Sequence, residues 1–166
     1  MDKRMLIRFI VCLFLGSLCQ FVYAKSVVGW VEKAVIMEGN IPIKAKIDSG
    51  ARHSSMHCGC EIFTKKDGSK WARLSVENYN GETAEIETKI VRQAKIKRHD
   101  GKRQIRNVIK LTLCLGNVAK EVEINLINRD GLNYQLLVGR SFLKEDFLIN
   151  TAKKFLHEPR CNKLQK

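Results

Sequence analysis

An acidic residue, Asp48, stands directly after a run of alternating apolar and polar residues at positions 41–47. This alternation is typical of a strand with one buried face. Ser49, Gly50 and Ala51 follow the acid. The glycine allows a tight bend, and the neighbouring amides and the Ser49 hydroxyl can donate hydrogen bonds to the carboxylate. The segment therefore predicts a carboxylate presented on a rigid turn, although the same residues also occur in ordinary turns.

A second segment of interest is the apolar run at residues 136–138, which ends in Gly139 and Arg140 before a short helical pattern. Together, the two segments resemble the retropepsin-like aspartic peptidases, in which a hydrophobic strand enters Asp-Thr/Ser-Gly-Ala and a later strand ends in Gly-Arg. With Ser54-Ser55-Met56-His57 between them, nearly all of residues 29–158 are similar to the bacterial family named ATP-dependent zinc proteases.

This resemblance implies an endopeptidase with Asp48 as its catalytic aspartate. The residues that it assigns to supporting this aspartate are Ser49, Gly50, Ala51, Gly139 and Arg140. Because retropepsin-like chains supply one aspartate each, the resemblance also implies a homodimer in which two copies of Asp48 face each other. A peptide or protein substrate would be hydrolysed between them. Ser49 replaces the commoner Thr and keeps its hydroxyl group.

The other activities in that family name have little support in the residues. The chain has no Gly-rich loop ending in Gly-Lys-Ser/Thr, so we expect no ATP binding. His57 and Cys58 are adjacent on a predicted strand and should point to opposite faces. Since no His-Glu-x-x-His pattern is present either, we expect no metal and no other cofactor. A zinc site is the lesser alternative, with the possible ligands His53, His57, Cys58 and Cys60.

The rest of the chain predicts an all-β fold, a closed or nearly closed retropepsin-like barrel with one short helix near the C-terminus. The turn dipeptides are Asp67-Gly68, Asn80-Gly81, Asp100-Gly101 and Gly116-Asn117. Three hairpins are expected, namely residues 27–37 with 41–47, 71–76 with 82–91, and 105–115 with 118–127. A helix at residues 140–145 and a last strand around residues 147–149 complete the prediction.

Residues 1–24 have the features of an export signal, with an early basic cluster, an apolar stretch and a small-residue cleavage pattern ending at Ala24. The stretch is about ten residues, short of the roughly 20 that a membrane-spanning helix needs. We therefore predict a signal peptide at 1–24, one barrel domain at 25–160 and a tail at 161–166. The predicted location is periplasmic or secreted.

The predicted mature chain carries 27 basic and 16 acidic residues, a formal net charge of +11. Such a charge attracts anionic partners, and for an exported protein an anionic envelope component is expected rather than nucleic acid. The alternative function is therefore a non-catalytic barrel that binds peptides or anionic envelope polymers.

Four cysteines follow the predicted signal, at positions 58, 60, 114 and 161. An oxidising compartment would allow one or two disulfides, with three possible full pairings. A bond between Cys58 and Cys60 would close a very small ring. We therefore expect these two residues to pair with Cys114 or Cys161.

Overall fold

The computed structural model describes residues 24–97, 101 and 103–161. The predicted signal, apart from Ala24, and residues 162–166 of the predicted tail lie outside this part of the chain. The described elements, in chain order, are β1 (Ser26–Gly29), β2 (Val31–Ile36), β3 (Ile41–Ile47), β4 (Ser54–His57), β5 (Cys60–Thr64), β6 (Lys70–Glu77), β7 (Thr83–Lys97), β8 (Arg103–Leu115), β9 (Val118–Ile127), β10 (Leu136–Val138), α1 (Arg140–Leu143) and β11 (Phe147–Asn150). None of the described helices is long and apolar enough to cross a membrane.

Six strands close into a barrel in the order β2-β3-β10-β4-β9-β8, and β8 pairs back with β2. The strands fit this role because their side chains alternate between core and solvent. In β3, for example, Ile41, Ile43, Ala45 and Ile47 are buried, while Lys44 and Lys46 are exposed. The predicted all-β barrel with one short helix is confirmed, and its interior is a packed apolar core.

Strands β7, β6 and β5 continue the sheet outward from β8 as an outer sheet. Strand β7 bends at an irregularity between Ile90 and Arg92. Its first half pairs with β6, and its second half pairs with the start of β8. Strand β5 is the edge of this outer sheet, so the short turn between β4 and β5 joins the barrel to the outer sheet.

The three predicted hairpins are present, as β2–β3, β6–β7 and β8–β9. The boundaries differ in several places. The run expected as one strand at 27–37 is broken at Trp30, whose amide donates to the Lys153 carbonyl while its own carbonyl accepts from Ile47. Strand β7 extends to Lys97, beyond the expected 82–91, and the helix ends at Leu143 rather than at residue 145.

Strand β10 lies between β3 and β4, parallel to the former and antiparallel to the latter. Strands β4 and β9 are also parallel, as are β1 and β11. These pairings join segments that are distant in sequence. The barrel is therefore more than a succession of hairpins.

Residues 152–161 form an extended segment, here the C-terminal strap, that crosses β1 and the start of β2. Its anchor is Glu32, whose side chain is fully buried. The Glu32 carboxylate accepts backbone hydrogen bonds from Gly29 at 2.6 Å, Leu156 at 3.0 Å and His157 at 3.1 Å. A disulfide between Cys114 and Cys161, with Cα atoms 5.9 Å apart, ties the end of the strap to β8.

The expected cysteine pairing is wrong. The structure joins Cys58 to Cys60, with Cα atoms 4.7 Å apart, and Cys114 to Cys161. Cys58 directly follows β4 and Cys60 begins β5, so the turn at Gly59 brings the two together. Cys114 lies near the end of β8, where the strap passes.

Candidate active site

Asp48 lies in the loop that follows β3, at one end of the barrel, and its side chain is half-buried. Its Oδ1 atom accepts hydrogen bonds from the Gly50 amide at 2.8 Å and the Ala51 amide at 3.2 Å. The Asp48 amide in turn donates to the Val138 carbonyl at 2.9 Å. The carboxylate is thereby fixed by its own turn and attached to β10.

Ser49 contributes differently from the expectation. Its side chain is exposed, and the hydrogen bonds that the described residues make to the carboxylate come from backbone amides. The turn is thus held by the amides of Gly50 and Ala51, and a Cβ at Gly50 would lie 3.1 Å from Asp48 Oδ1. The Ser49 hydroxyl faces outward.

Gly139 and Arg140 brace this loop from the β10 side. Arg140 Nη1 donates to the carbonyls of Ser49 at 2.6 Å and Gly50 at 2.9 Å, and the Arg140 amide donates to Ala51. A side chain at position 139 would place its Cβ 2.7 Å from the backbone of His53. The segment after β10 therefore packs directly on the loop that carries Asp48.

Behind the loop, two polar residues link β10 to β9 through the start of β4. The Gly139 amide donates to the Ser54 hydroxyl at 3.2 Å, and the Asn125 side chain donates to the Ser54 carbonyl at 3.1 Å. Ser54 and Asn125 are both buried. These bonds fix the loop relative to the barrel wall.

The sequence did not indicate a role for Arg129, a buried cation on the loop at residues 128–135, here the β9–β10 loop. Its Nε donates to the Tyr134 carbonyl at 2.9 Å and its Nη1 to the Ser55 hydroxyl at 3.3 Å. Burial lowers the pKa of Arg129. The negative charge of Asp48 opposes this shift, and the charge of Arg106 adds to it. Arg129 therefore places positive charge near Asp48, and Arg106 lies near Arg129.

A cavity of about 290 Å³ adjoins Arg129. Its wall consists of Trp30, Lys46, Arg129, Leu132, Asn133 and Tyr134. The rings of Trp30 and Tyr134 meet edge to face at 6.1 Å. Lys46 lies two residues before Asp48, so the cavity lies beside the Asp48 loop and offers aromatic surface with two cations. In the sequence, Arg129 precedes an Asp-Gly turn and looks like an ordinary solvated residue.

The possible zinc ligands are not brought together. Cys58 and Cys60 are bonded to each other. His57 Nδ1 accepts from the Arg129 amide at 3.1 Å, and its Nε2 lies 3.7 Å from Asp130. Among the described residues, no group of three or more His, Cys, Asp or Glu side chains is arranged to hold a metal ion.

Residues 27–160 match the family described as RimB-like, retropepsin-like aspartic endopeptidase RimB. The chain belongs to this family. The resemblance to retropepsin-like peptidases suggested by the motifs at Asp48 and Gly139-Arg140 is thereby confirmed. The RimB-like match covers all the described strands except the first residue of β1.

Curated relatives of this RimB-like chain carry a different name. A probable alpha-L-glutamate ligase of Shewanella pealeana is 33% identical over 135 residues, which cover 79% of this chain and 30% of the ligase. One of Desulfotalea psychrophila is 29% identical over 133 residues, covering 78% and 29%. The chain thus spans less than a third of the length of these relatives.

A solved structure has the same fold as this RimB-like chain. It is the crystal structure of a Legionella pneumophila protein of unknown function. The two are 28% identical with a TM-score of 0.68, over 81% of this chain and 100% of the other.

Proposed function

We propose that this protein is an exported aspartic endopeptidase, periplasmic or secreted, that hydrolyses peptide bonds through an Asp48 dyad formed across a homodimer. The observation that carries the proposal is the braced Asp48 loop. Two amides hold Oδ1, and Gly139 and Arg140 support the loop from below. All the hydrogen bonds that described residues make to this carboxylate engage Oδ1, which leaves Oδ2 available to a partner and to water.

The proposed chemistry requires two copies of Asp48 within hydrogen-bonding reach. Two carboxylates at that distance do not both ionise, so the pair holds one proton. The ionised member removes a proton from water, which attacks the peptide carbonyl carbon, and the protonated member stabilises the oxyanion that develops. The C–N bond then breaks as the leaving amine takes up a proton.

The positive charge around the site favours acidic peptides as substrates. Arg106, Arg129 and Lys46 lie on this side of the barrel, and the predicted mature chain has a formal net charge of +11. The name of the ligase relatives also points to glutamate-containing chains. A peptide panel should therefore include Glu-rich sequences beside neutral ones of the same length.

Replacing Asp48 by Asn tests the proposal directly. Asp48→Asn keeps the shape of the side chain and an oxygen that can accept from the Gly50 and Ala51 amides. Because Asn cannot share an ionisable proton, peptide cleavage should fall by about 10²–10⁴-fold. Folding and dimerisation should persist. The control is Asp67→Asn, because Asp67 lies in the β5–β6 turn and only caps Ser69. Cleavage is followed by mass spectrometry and the dimer by light scattering.

Mixing the proteins tests the shared site. Excess Asp48→Asn should inhibit the wild type, because each mixed dimer holds a single ionisable carboxylate. The wild type should also show a bell-shaped pH profile that belongs to the pair. If Asp48→Asn cleaves as well as the wild type, or a proven wild-type dimer cleaves nothing, the peptide- or polymer-binding barrel replaces the peptidase.

A further inference from the structure

The turn Cys58-Gly59-Cys60 connects the barrel to the outer sheet at β5, the opposite edge of that sheet from the β7–β8 pairing. Cys58 follows β4 of the barrel, and Cys60 begins β5 at the edge of the outer sheet. The disulfide between them spans a sequence separation of 2. It therefore pins the point at which the chain passes from barrel to outer sheet.

This bond has little effect on global stability. A disulfide stabilises a fold chiefly by restricting the unfolded chain, and the effect grows with the length of the loop that it closes. The Cys114–Cys161 bond spans 47 residues, whereas Cys58–Cys60 spans 2. The Cys114–Cys161 bond therefore stabilises the whole fold, and the Cys58–Cys60 bond acts locally.

The two bonds also differ in accessibility. Cys58 and Cys60 are both half-buried, on either side of the exposed Gly59, whereas in the other bond Cys161 is half-buried and Cys114 is only 1% exposed. Thiol–disulfide exchange requires an attacking thiolate to reach a sulfur atom. An external thiol can therefore approach either sulfur of the Cys58–Cys60 pair, but only the Cys161 sulfur of the other bond.

Cys58 of this turn and His57, the last residue of β4, hold the two ends of the β9–β10 loop. The Cys58 amide donates to Ile127 at 2.9 Å, where the loop begins, and the His57 amide donates to Gln135 at 2.8 Å, where it ends. His57 Nδ1 also accepts from the Arg129 amide. The loop that lines the cavity beside Asp48 is therefore hydrogen-bonded directly to the end of β4 and to Cys58.

We propose that Cys58 and Cys60 form a redox-active pair that controls the mobility of β5 and of the β9–β10 loop. A dithiol reductant is the partner. One of its thiolates attacks a sulfur of the pair to give a mixed disulfide and a protein thiol. Its second thiol then displaces the other cysteine, so that the reductant becomes a disulfide and Cys58 and Cys60 become thiols. Reduction frees the junction between β4 and β5.

The test uses the purified, fully oxidised chain in buffers of reduced and oxidised dithiothreitol. Free thiols are trapped with N-ethylmaleimide and assigned by peptide mass spectrometry. Cys58 and Cys60 should become labelled at a reductant ratio at least about tenfold lower than Cys114 and Cys161. At that ratio, amide hydrogen exchange should accelerate in β5 and the β9–β10 loop and stay unchanged in β8 and β9.

Two variants sharpen the result. The double variant Cys58→Ser/Cys60→Ser should reproduce the faster exchange without reductant, while Cys161→Ser should accelerate exchange in the C-terminal strap instead. Simultaneous reduction of both pairs would overturn the proposal. So would selective reduction with unchanged exchange in β5 and the β9–β10 loop. Neither readout depends on peptide cleavage, so the outcome is independent of the proposed peptidase activity.

Discussion

Gly139 matters at the residue scale because of space rather than backbone conformation. Its φ of −94° and ψ of 177° are open to any residue. The position nevertheless excludes a side chain, because a Cβ would lie 2.7 Å from the carbonyl carbon and oxygen of His53 and 3.0 Å from the oxygen of Ala51. These are backbone atoms, which cannot turn away as a flexible side chain can. The Asp48 loop and the end of β10 can therefore approach this closely only because residue 139 has no Cβ.

Gly139→Ala should lower the free energy of unfolding by about 1–3 kcal/mol, as overpacking does, because the loop at 51–53 must move away from β10. Urea unfolding measures the change. Gly131→Ala is the control. It has φ of +74° and open space around it, so it should cost about 1 kcal/mol through conformation alone. If the Gly139→Ala protein is as stable as the wild type, the loop at 51–53 moves away from β10 at no cost in free energy, and the prediction is wrong.

At this scale, site residues can be predicted from the sequence when they belong to a motif, but not when their role depends on being buried in the fold. A family pattern groups Asp48, Gly139 and Arg140, and the structure places Gly139 and Arg140 against the loop that carries Asp48. Arg129 was missed because its role depends on being covered by β4 and Tyr134. No local spacing encodes that. The sequence predicts that both the neighbouring amides and the Ser49 hydroxyl bind the carboxylate, and the hydrogen bonds among the described residues come from the Gly50 and Ala51 amides.

At the element scale, the C-terminal strap depends on Glu32. A buried carboxylate is costly unless it is fully hydrogen-bonded, and here three backbone N–H groups satisfy it. Two of the three belong to the strap. The strap also covers Gly29, where a Cβ would lie 2.4 Å from the Lys153 oxygen. The path of residues 153–157 of the strap is therefore fixed by the Glu32 side chain and by the absence of a side chain at Gly29.

Glu32→Gln should lower the free energy of unfolding by about 1–3 kcal/mol. Its amide nitrogen is a donor and would face backbone donors, which leaves buried N–H groups unsatisfied. Thermal unfolding and protease sensitivity of the strap are the measurements. Glu158→Gln is the matched control on the same strap. It loses an exposed ion pair with Lys33 and should unfold like the wild type. Equal stability of Glu32→Gln and the wild type would contradict this role.

Strand pairs that are adjacent in sequence could be predicted, whereas pairs between strands that are distant in sequence could not. The hairpins β2–β3, β6–β7 and β8–β9 follow from turn residues such as Gly81 and Gly116, which adopt positive φ. The parallel pairs have no such marker, because nothing within β10 specifies β3 as its neighbour. The cysteine pairing failed for a related reason, since only the course of the strap brings Cys161 to Cys114.

On the scale of the whole molecule, the predicted cleavage site lies just before the first described strand. Strand β1 begins at Ser26, whose amide donates to the Asp146 carbonyl at 2.7 Å, and Lys25 Nζ donates to the Lys144 carbonyl at 2.6 Å. A chain cut after Ala24 would keep both contacts. The domain that matches the RimB-like family, residues 27–160, also begins just beyond this point.

Protein isolated from its native host should therefore begin at Lys25. Cleavage after Ala24 removes the early basic cluster and the apolar stretch together. Intact-mass measurement on the envelope or culture fraction decides the matter. A retained Met1, or a lipid on Cys19, would show that residues 1–24 are not a removable signal.

The position of β10 between β3 and β4 also determines when the site can form. Strands β3 and β4 are consecutive in the chain, yet the strand that separates them comes from residues 136–138, and the bond from Asp48 to Val138 joins positions 90 residues apart. Pairing over such distances makes folding slow, on the order of milliseconds to seconds, because loop entropy is lost before contacts form. A nascent chain that ends before β10 has nothing to brace the Asp48 loop. The Asp48 loop of this RimB-like domain is therefore braced only after residues 136–140 have been synthesised and β10 has paired with β3 and β4.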